Sequence, residues 1–183
     1  MKVTRTDIPD VLIFEPVVHG DDRGYFMETF RLSYFHDKGI DLQFVQDNQS
    51  MSKRGTLRGL HYQLRYPQGK LARVVSGEIF DVAVDLRKSS TTFGKWVGEI
   101  LSAENQKQLW IPPGFAHGFL VLSDTAELSY KCTDYFHPED DHSLFWSDPE
   151  VQVEWPEIRG SITLSEKDRA GKMLSEAPVF EHI

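Results

Sequence analysis

From residue 44 to residue 136 the chain is a succession of short runs in which apolar and polar positions alternate. Runs at 44–52, 56–64, 70–86, 96–102, 107–112, 117–123 and 127–136 are rich in Val, Ile, Leu and aromatic residues, and Gly, Pro, Ser or Asn punctuate them. Such side chains suit a pleated, half-buried surface, so each run predicts a strand, and many short strands at close spacing predict a sandwich or barrel. Helical signals are confined to two places. RLSYFHDKG at 31–39 carries a stop signal in Lys38 and Gly39, and SEKDRAGKML at 165–174 opens on Ser165 and Asp168 with capping-box spacing. No internal repeat or long linker interrupts the chain, and the segment 134–158, acidic and without Lys or Arg, is expected to form a loop-rich rim.

Within a strand, residues two apart share a face and neighbours oppose. In LSYKC, Tyr130 therefore shares its side with Leu128 and Cys132, which predicts an inward-facing phenol that needs a partner or a task. In HGFLV, His117 likewise shares a side with Phe119 and Val121.

A chain of 183 residues with 40 % hydrophobic content can bury one core of ordinary size, so one domain over 1–183 is expected. The balance of 20 basic against 28 acidic residues argues against nucleic acid as a partner. No apolar run is long enough for a bilayer, and MKVTRTDIPDVLIFEP lacks the unbroken apolar stretch of a signal peptide. A cytoplasmic chain without membrane association is the expectation. Cys132, the sole cysteine, has no internal disulfide partner and falls in a strand-like run, as a small buried hydrophobe would.

Against a net charge of -8, the stretch Asn48 to Gly77 holds Lys53, Arg54, Arg58, Arg65, Lys70 and Arg73 and no acid. A charge run often marks a solvated face and nothing more. Here Arg58, His61 and Lys70 fall inside hydrophobic patterning, where removing them from water is unfavourable without a partner, and an anionic ligand would be such a partner.

IPPGFAHGF contains P-x-G-x-x-H at Pro112, Gly114 and His117, a pattern familiar from cupins, which are jelly-roll barrels with a site in the mouth. A tight turn leading to a core histidine would leave the same residues. A metal-binding cupin needs two histidines one residue apart and a nearby acid. GLHYQLRYPQGK has Gln63 at the second histidine's place, with Arg65, Gln68 and Lys70 around the acid's. Cations repel a divalent ion, so a cupin shell without metal is expected. Phosphate-cradling glycine motifs and a serine nucleophile elbow are absent. What remains is a histidine base, a tyrosine acid and a Lys or Arg electrophile, the parts for removing a proton beside a carbonyl without a cofactor.

Taken together, LRGLHYQ, FDVAVDLRKSSTTFGKW, QLWIPPGFAHGFLVLSDTAE and YKCTDYF resemble the dTDP-4-dehydrorhamnose 3,5-epimerases of deoxysugar biosynthesis. The resemblance implies a mainly β fold, a cupin-type double-stranded β-helix (jelly-roll barrel) with a few short helices and no metal or cofactor. It further implies a homodimer that acts on a dTDP-4-keto-6-deoxy sugar. His61 matches the family's base, Asp168 the carboxylate that supports its imidazolium, Tyr130 the acid on the opposite face and Lys70 the cation near the C4 carbonyl. Asp168 serves equally well as N3 of a capped helix. Substrate contacts fall by the same resemblance to Arg23, Glu28, Gln46, Asp47, Asn48, Arg58, His117 and Asp141, with Arg23 and Glu28 reaching the partner subunit's site. An ordinary D-R-G turn accounts for Arg23 too. Two departures lie on the expected rim: Phe136 stands where many relatives have tyrosine, and Asp141 where others often have glutamate. These motifs do not separate a 3,5-epimerase from an enzyme acting at one carbon, or from a non-catalytic nucleotide-sugar binder with the same pocket.

Overall fold

Residues 1–183, described by a computed structural model, form two antiparallel sheets laid face to face. The first sheet runs β1 (Lys2–Arg5), β2 (Leu12–Glu15), β10 (Gln108–Ile111), β7 (Lys70–Ser76), β12 (Thr125–Cys132) and β5 (Gln46–Lys53). The second runs β13 (Asp141–Ser143), β6 (Leu57–Gln63), β11 (Phe115–Val121), β8 (Glu78–Asp85) and β9 (Trp96–Ser102). Strands β5 to β8 switch sheets at every step, as do β9 to β12, which is the winding of a jelly roll. The cupin-type barrel expected from the sequence is therefore present. A separate hairpin, β3 (Val18–Asp21) with β4 (Gly24–Met27), pairs only with itself.

Three apolar layers follow from strand alternation. Between the sheets, Ala72, Val74 and Leu128 of the first meet Ile79, Ala83, Val97 and Phe119 of the second. Their neighbours in sequence point outward and are covered too. Val82, Val84, Leu60 and Tyr62 pack under Leu144, Val151, Leu174 and Phe180 from the C-terminal segment. On the other outer face, Leu12, Phe14, Leu71 and Trp110 lie beneath α1 (Leu32–His36), whose Phe35 stacks on Phe14 at 4.6 Å and meets Trp110 edge-on at 5.5 Å. Covering of both faces explains why six of the eight residues of β8 are buried, Asp81 and Asp85 among them.

Several expectations need correction. The run at 70–86 is two strands broken at Gly77, whose φ of +76° and a virtual Cβ 2.0 Å from the Thr125 carbonyl oxygen admit no side chain. Strand β12 stops at Cys132, short of 136, and the second helix, α2, covers only Glu166–Arg169. The segment 134–158 is more than a rim, because Leu144 and Val151 are core residues and Asp140 and Asp148 are buried. The four N-terminal strands had no apolar alternation to announce them, their exposure being high in β1, β3 and β4.

Since Phe35 alone on α1 is fully buried, Phe35→Ala is expected to destabilise the fold by about 3 to 5 kcal/mol in chemical denaturation. Turnover at low temperature should persist, because the substitution lies on the sheet face away from the barrel interior.

Candidate active site

Strand β6 presents His61 to the interior, and its Nε2 lies 2.6 Å from Oδ1 of Asp168, the third residue of α2. Asp168 carries two duties on two oxygens. Oδ2 closes the capping box, accepting from the Ser165 hydroxyl at 2.6 Å and the Ser165 amide at 3.3 Å, while the Asp168 amide returns a bond to Ser165 Oγ. Oδ1 takes the imidazole and the Gly59 amide at 3.1 Å. Cap and partner of His61 were alternatives in the sequence; here one residue makes both sets of contacts. Gly59 is required for this, since its φ is +125° and an added Cβ would sit 2.5 Å from the Gly118 Cα on β11.

Burial pushes the Asp168 carboxyl upward, but hydrogen bonds from His61, Ser165 and Gly59 outweigh it and hold the group well below the carboxylate range. Burial, helped by the charges of Lys167 and Lys70, lowers the His61 imidazole more than Asp168 raises it. The pair therefore rests as a carboxylate beside a neutral ring, with the Nε2 proton donated to Asp168 and the Nδ1 lone pair free.

Across the barrel, the first sheet supplies Tyr130 from β12 and Lys70 from β7, and these two line a cavity of about 320 Å³ together with His61, Gln46, Asn48 and Asp141. Burial raises the Tyr130 phenol, which keeps it protonated. It also lowers the Lys70 ammonium, against the charges of Asp141 and Asp81. Among the cavity's cations Lys167 is paired with Asp141, whereas Lys70 has no ion pair. Cys132 is fully buried, as expected, but its register partner is Lys70 and Asn48 Nδ2 donates to its sulfur at 3.6 Å.

The remaining residues divide clearly. A register shift between His117 and Phe119 pairs them with His61 and Arg58, so Arg58 and His61 share the inner face although three apart. Arg58 is exposed at the end of that face and donates to Ser52 Oγ at 3.0 Å, so it is not set among apolar neighbours as the patterning suggested. His117 is buried beside His61 and bonds Asp81 Oδ1 at 2.7 Å, while Asp81 Oδ2 has no partner. Asp47, one residue from Gln46 and Asn48, faces outward and pairs with Lys131. Arg23 pairs with Asp21 on the hairpin and Glu28 with Arg31, and neither lines this chain's cavity. The sequence reading passed over Lys167, which the short α2 brings to the cavity beside Asp168, and Gln68 on the β6–β7 loop. The clue for Lys167 was adjacency to Asp168; Gln68 was noted only as standing near the place of a metal cupin's acid. No three His, Cys, Asp or Glu side chains converge anywhere in the chain.

What the two sheets assemble is a cupin barrel whose mouth sets an imidazole–carboxylate pair opposite a phenol and an ammonium, and that is the class of protein the fold and geometry define. The profile of the dTDP-4-dehydrorhamnose 3,5-epimerases matches residues 5–176, and the chain belongs to that family. It is 57 % identical over 181 residues to the dTDP-4-dehydrorhamnose 3,5-epimerase of Pseudomonas aeruginosa, covering 98 % of this chain and 99 % of that one. It superposes with a TM-score of 0.96 on the dTDP-6-deoxy-D-glucose-3,5-epimerase of Legionella pneumophila Philadelphia 1 in complex with dTDP-4-keto-L-rhamnose. That protein is 48 % identical, with 100 % and 98 % of the two chains covered. A 3'-monoepimerase of Streptomyces bikiniensis in complex with dTDP-quinovose is similar at a TM-score of 0.86 and 35 % identity, with 93 % and 87 % covered.

The folded-state pKa of His61 is depressed, so the folded chain binds that proton more weakly than the unfolded chain, and stability is lost as pH falls below the ordinary imidazole value of about 6.5. Nitrogen-15 NMR of the unliganded protein is expected to find a neutral Nε2–H tautomer at neutral pH and a midpoint below about 6.5. A midpoint above about 7 would refute the neutral base.

Proposed function

We propose that the chain converts dTDP-4-dehydro-6-deoxy-D-glucose into dTDP-4-dehydro-L-rhamnose by exchanging protons at the two carbons flanking the ketone. The observation that carries this reading is His61 of one sheet, paired with Asp168 of α2, set opposite Tyr130 and Lys70 of the other sheet. Nδ1 of His61 takes the proton from C5 or C3, and the electron pair of the broken C–H bond moves to the C4 oxygen as an enolate. Lys70 stabilises that oxygen; one preorganised hydrogen-bond donor aimed at a developing oxyanion is worth about 3 to 4 kcal/mol. Tyr130 then delivers its hydroxyl proton to the opposite face of the same carbon, which inverts the centre. Transfer of the imidazolium proton back to the phenolate through water restores both groups. Asp168 holds the ring tautomer and stabilises the transient imidazolium.

Gln46, Asn48, Arg58, His117, Asp141 and Lys167 surround the rest of the substrate in this reading, and the exposed guanidinium of Arg58 suits its diphosphate. Support for a homodimer comes from the hairpin β3–β4, which leaves Val18, Tyr25 and Phe26 exposed, the last at 72 %. Arg23 and Glu28 would then complete the partner's site, as would Asp47 if it contributes from the outer face. Action at one carbon alone is supported by the likeness to the Streptomyces bikiniensis monoepimerase.

Incubation with dTDP-4-dehydro-6-deoxy-D-glucose in D2O is expected to place deuterium at both C3 and C5, read by mass spectrometry and NMR; label at one carbon selects the second reading. His61→Asn should slow both exchanges by about a hundred- to ten-thousandfold, whereas Tyr130→Phe should impair inversion more than exchange. Unchanged turnover in His61→Asn would falsify the mechanism. Specific activity should fall as the protein is diluted through the dissociation range seen by sedimentation, and full activity in the monomer would exclude a role for Arg23 and Glu28 in trans.

A further inference from the structure

The mouth of the cavity is bordered by two loops, Leu64–Gly69 between β6 and β7 and Thr133–Asp140 after β12, and Phe136 on the second is the rim aromatic that lines the cavity. Phe136 is exposed, and no aromatic partner packs its ring in place. Its position therefore depends on its backbone, and that backbone is held from both sheets. Gln63, at the end of β6, donates from Nε2 to the Tyr135 carbonyl at 3.1 Å and to the Tyr66 carbonyl at 2.7 Å, and accepts from the His137 amide at 2.7 Å. Gln46, on β5 of the opposing sheet, accepts from the Phe136 amide at 2.9 Å. Three consecutive residues centred on Phe136 are thus tied to two glutamines that span the barrel mouth.

The two loops are fastened to each other as well. Asp140 Oδ2 accepts from the amides of Arg65 at 2.7 Å and Tyr66 at 3.0 Å, and Gln68 donates to the Asp134 carbonyl at 2.8 Å. The ring of Tyr66 stacks on that of His137 with centroids 3.9 Å apart. Gln63 sits at the centre of this clasp, 4 % exposed, and it is the residue that stands at the position of a cupin's second metal-binding histidine.

A carboxamide offers two donors and an acceptor on one planar group, which matches two carbonyls and one amide. A neutral imidazole has one donor and one acceptor and would leave a rim carbonyl unsatisfied. A carboxylate would aim lone pairs at both carbonyls. We infer that Gln63 is a positioning residue that holds Phe136 across the mouth and thereby sets how tightly the nucleotide sugar is retained, a role that rests on the epimerase reading above. It touches no reacting atom in that role, so it acts on binding and not on proton transfer.

The test is a double-mutant cycle between Gln63→Glu and Phe136→Ala, read as KM and kcat for dTDP-4-dehydro-6-deoxy-D-glucose and as calorimetric Kd for dTDP. Gln63→Glu is expected to raise KM and Kd about tenfold, with kcat changed less than about twofold. In the Phe136→Ala background it should add less than about twofold. Gln63→His, which keeps one donor and one acceptor, should fall between the two and guards against failure of the carboxylate variant to fold. Multiplying effects, or a fall in kcat at unchanged KM and Kd, would overturn the assignment. If the unaltered protein binds dTDP but takes up no deuterium from D2O, the epimerase reading fails, and the cycle in Kd still decides the role of Gln63.

Discussion

The division of one carboxylate between two tasks is the constraint on which the site depends. Asp168 Oδ2 ends its bonds within its own helix turn, at Ser165, and Oδ1 ends them on β6, at His61 and Gly59. The capping box thus fixes the carboxyl plane before the imidazole meets it. A four-residue helix has little stability of its own, and α2 keeps its shape because both ends of this arrangement are satisfied. Local order of the chain and orientation of the imidazole are consequently the same property.

The sandwich gives this arrangement its stiffness. With the inner faces packed on each other and both outer faces covered, neither sheet can tilt without disturbing two apolar layers. Tyr130 and His61 are mounted on opposite sheets, so whatever occupies the cavity between them is flanked on both faces by rigid scaffold.

Much of this was legible from alternation alone. The grouping of Tyr130 with Leu128 and Cys132 was correct because β12 is regular through that stretch, and the strand runs from 46 to 132 were found wherever one face is apolar. The misses have separate physical causes. Strands β1, β3 and β4 are mostly exposed and so carry no burial pattern. Arg58 reaches the inner face through a register shift that no period reveals, whereas Asp47 is turned outward by regular alternation that a contiguous motif conceals. Asp168 lies 107 positions from His61, a contact that local spacing cannot encode; the family resemblance paired them, while spacing alone offered only the cap. Gln63 was legible as a missing ligand; its three backbone bonds belong to loops without regular spacing.

That same separation orders the assembly in time. A ribosome adding about 5 to 20 residues per second exposes β6 roughly 5 to 20 s before α2, so the barrel strands are all made while the carboxylate is still to come. A nascent chain at that stage has the imidazole but nothing to orient it, and the outer face of its second sheet lacks Leu174 and Phe180. The imidazole is therefore oriented only once residues 165–180 have been added, long after the strand that carries it.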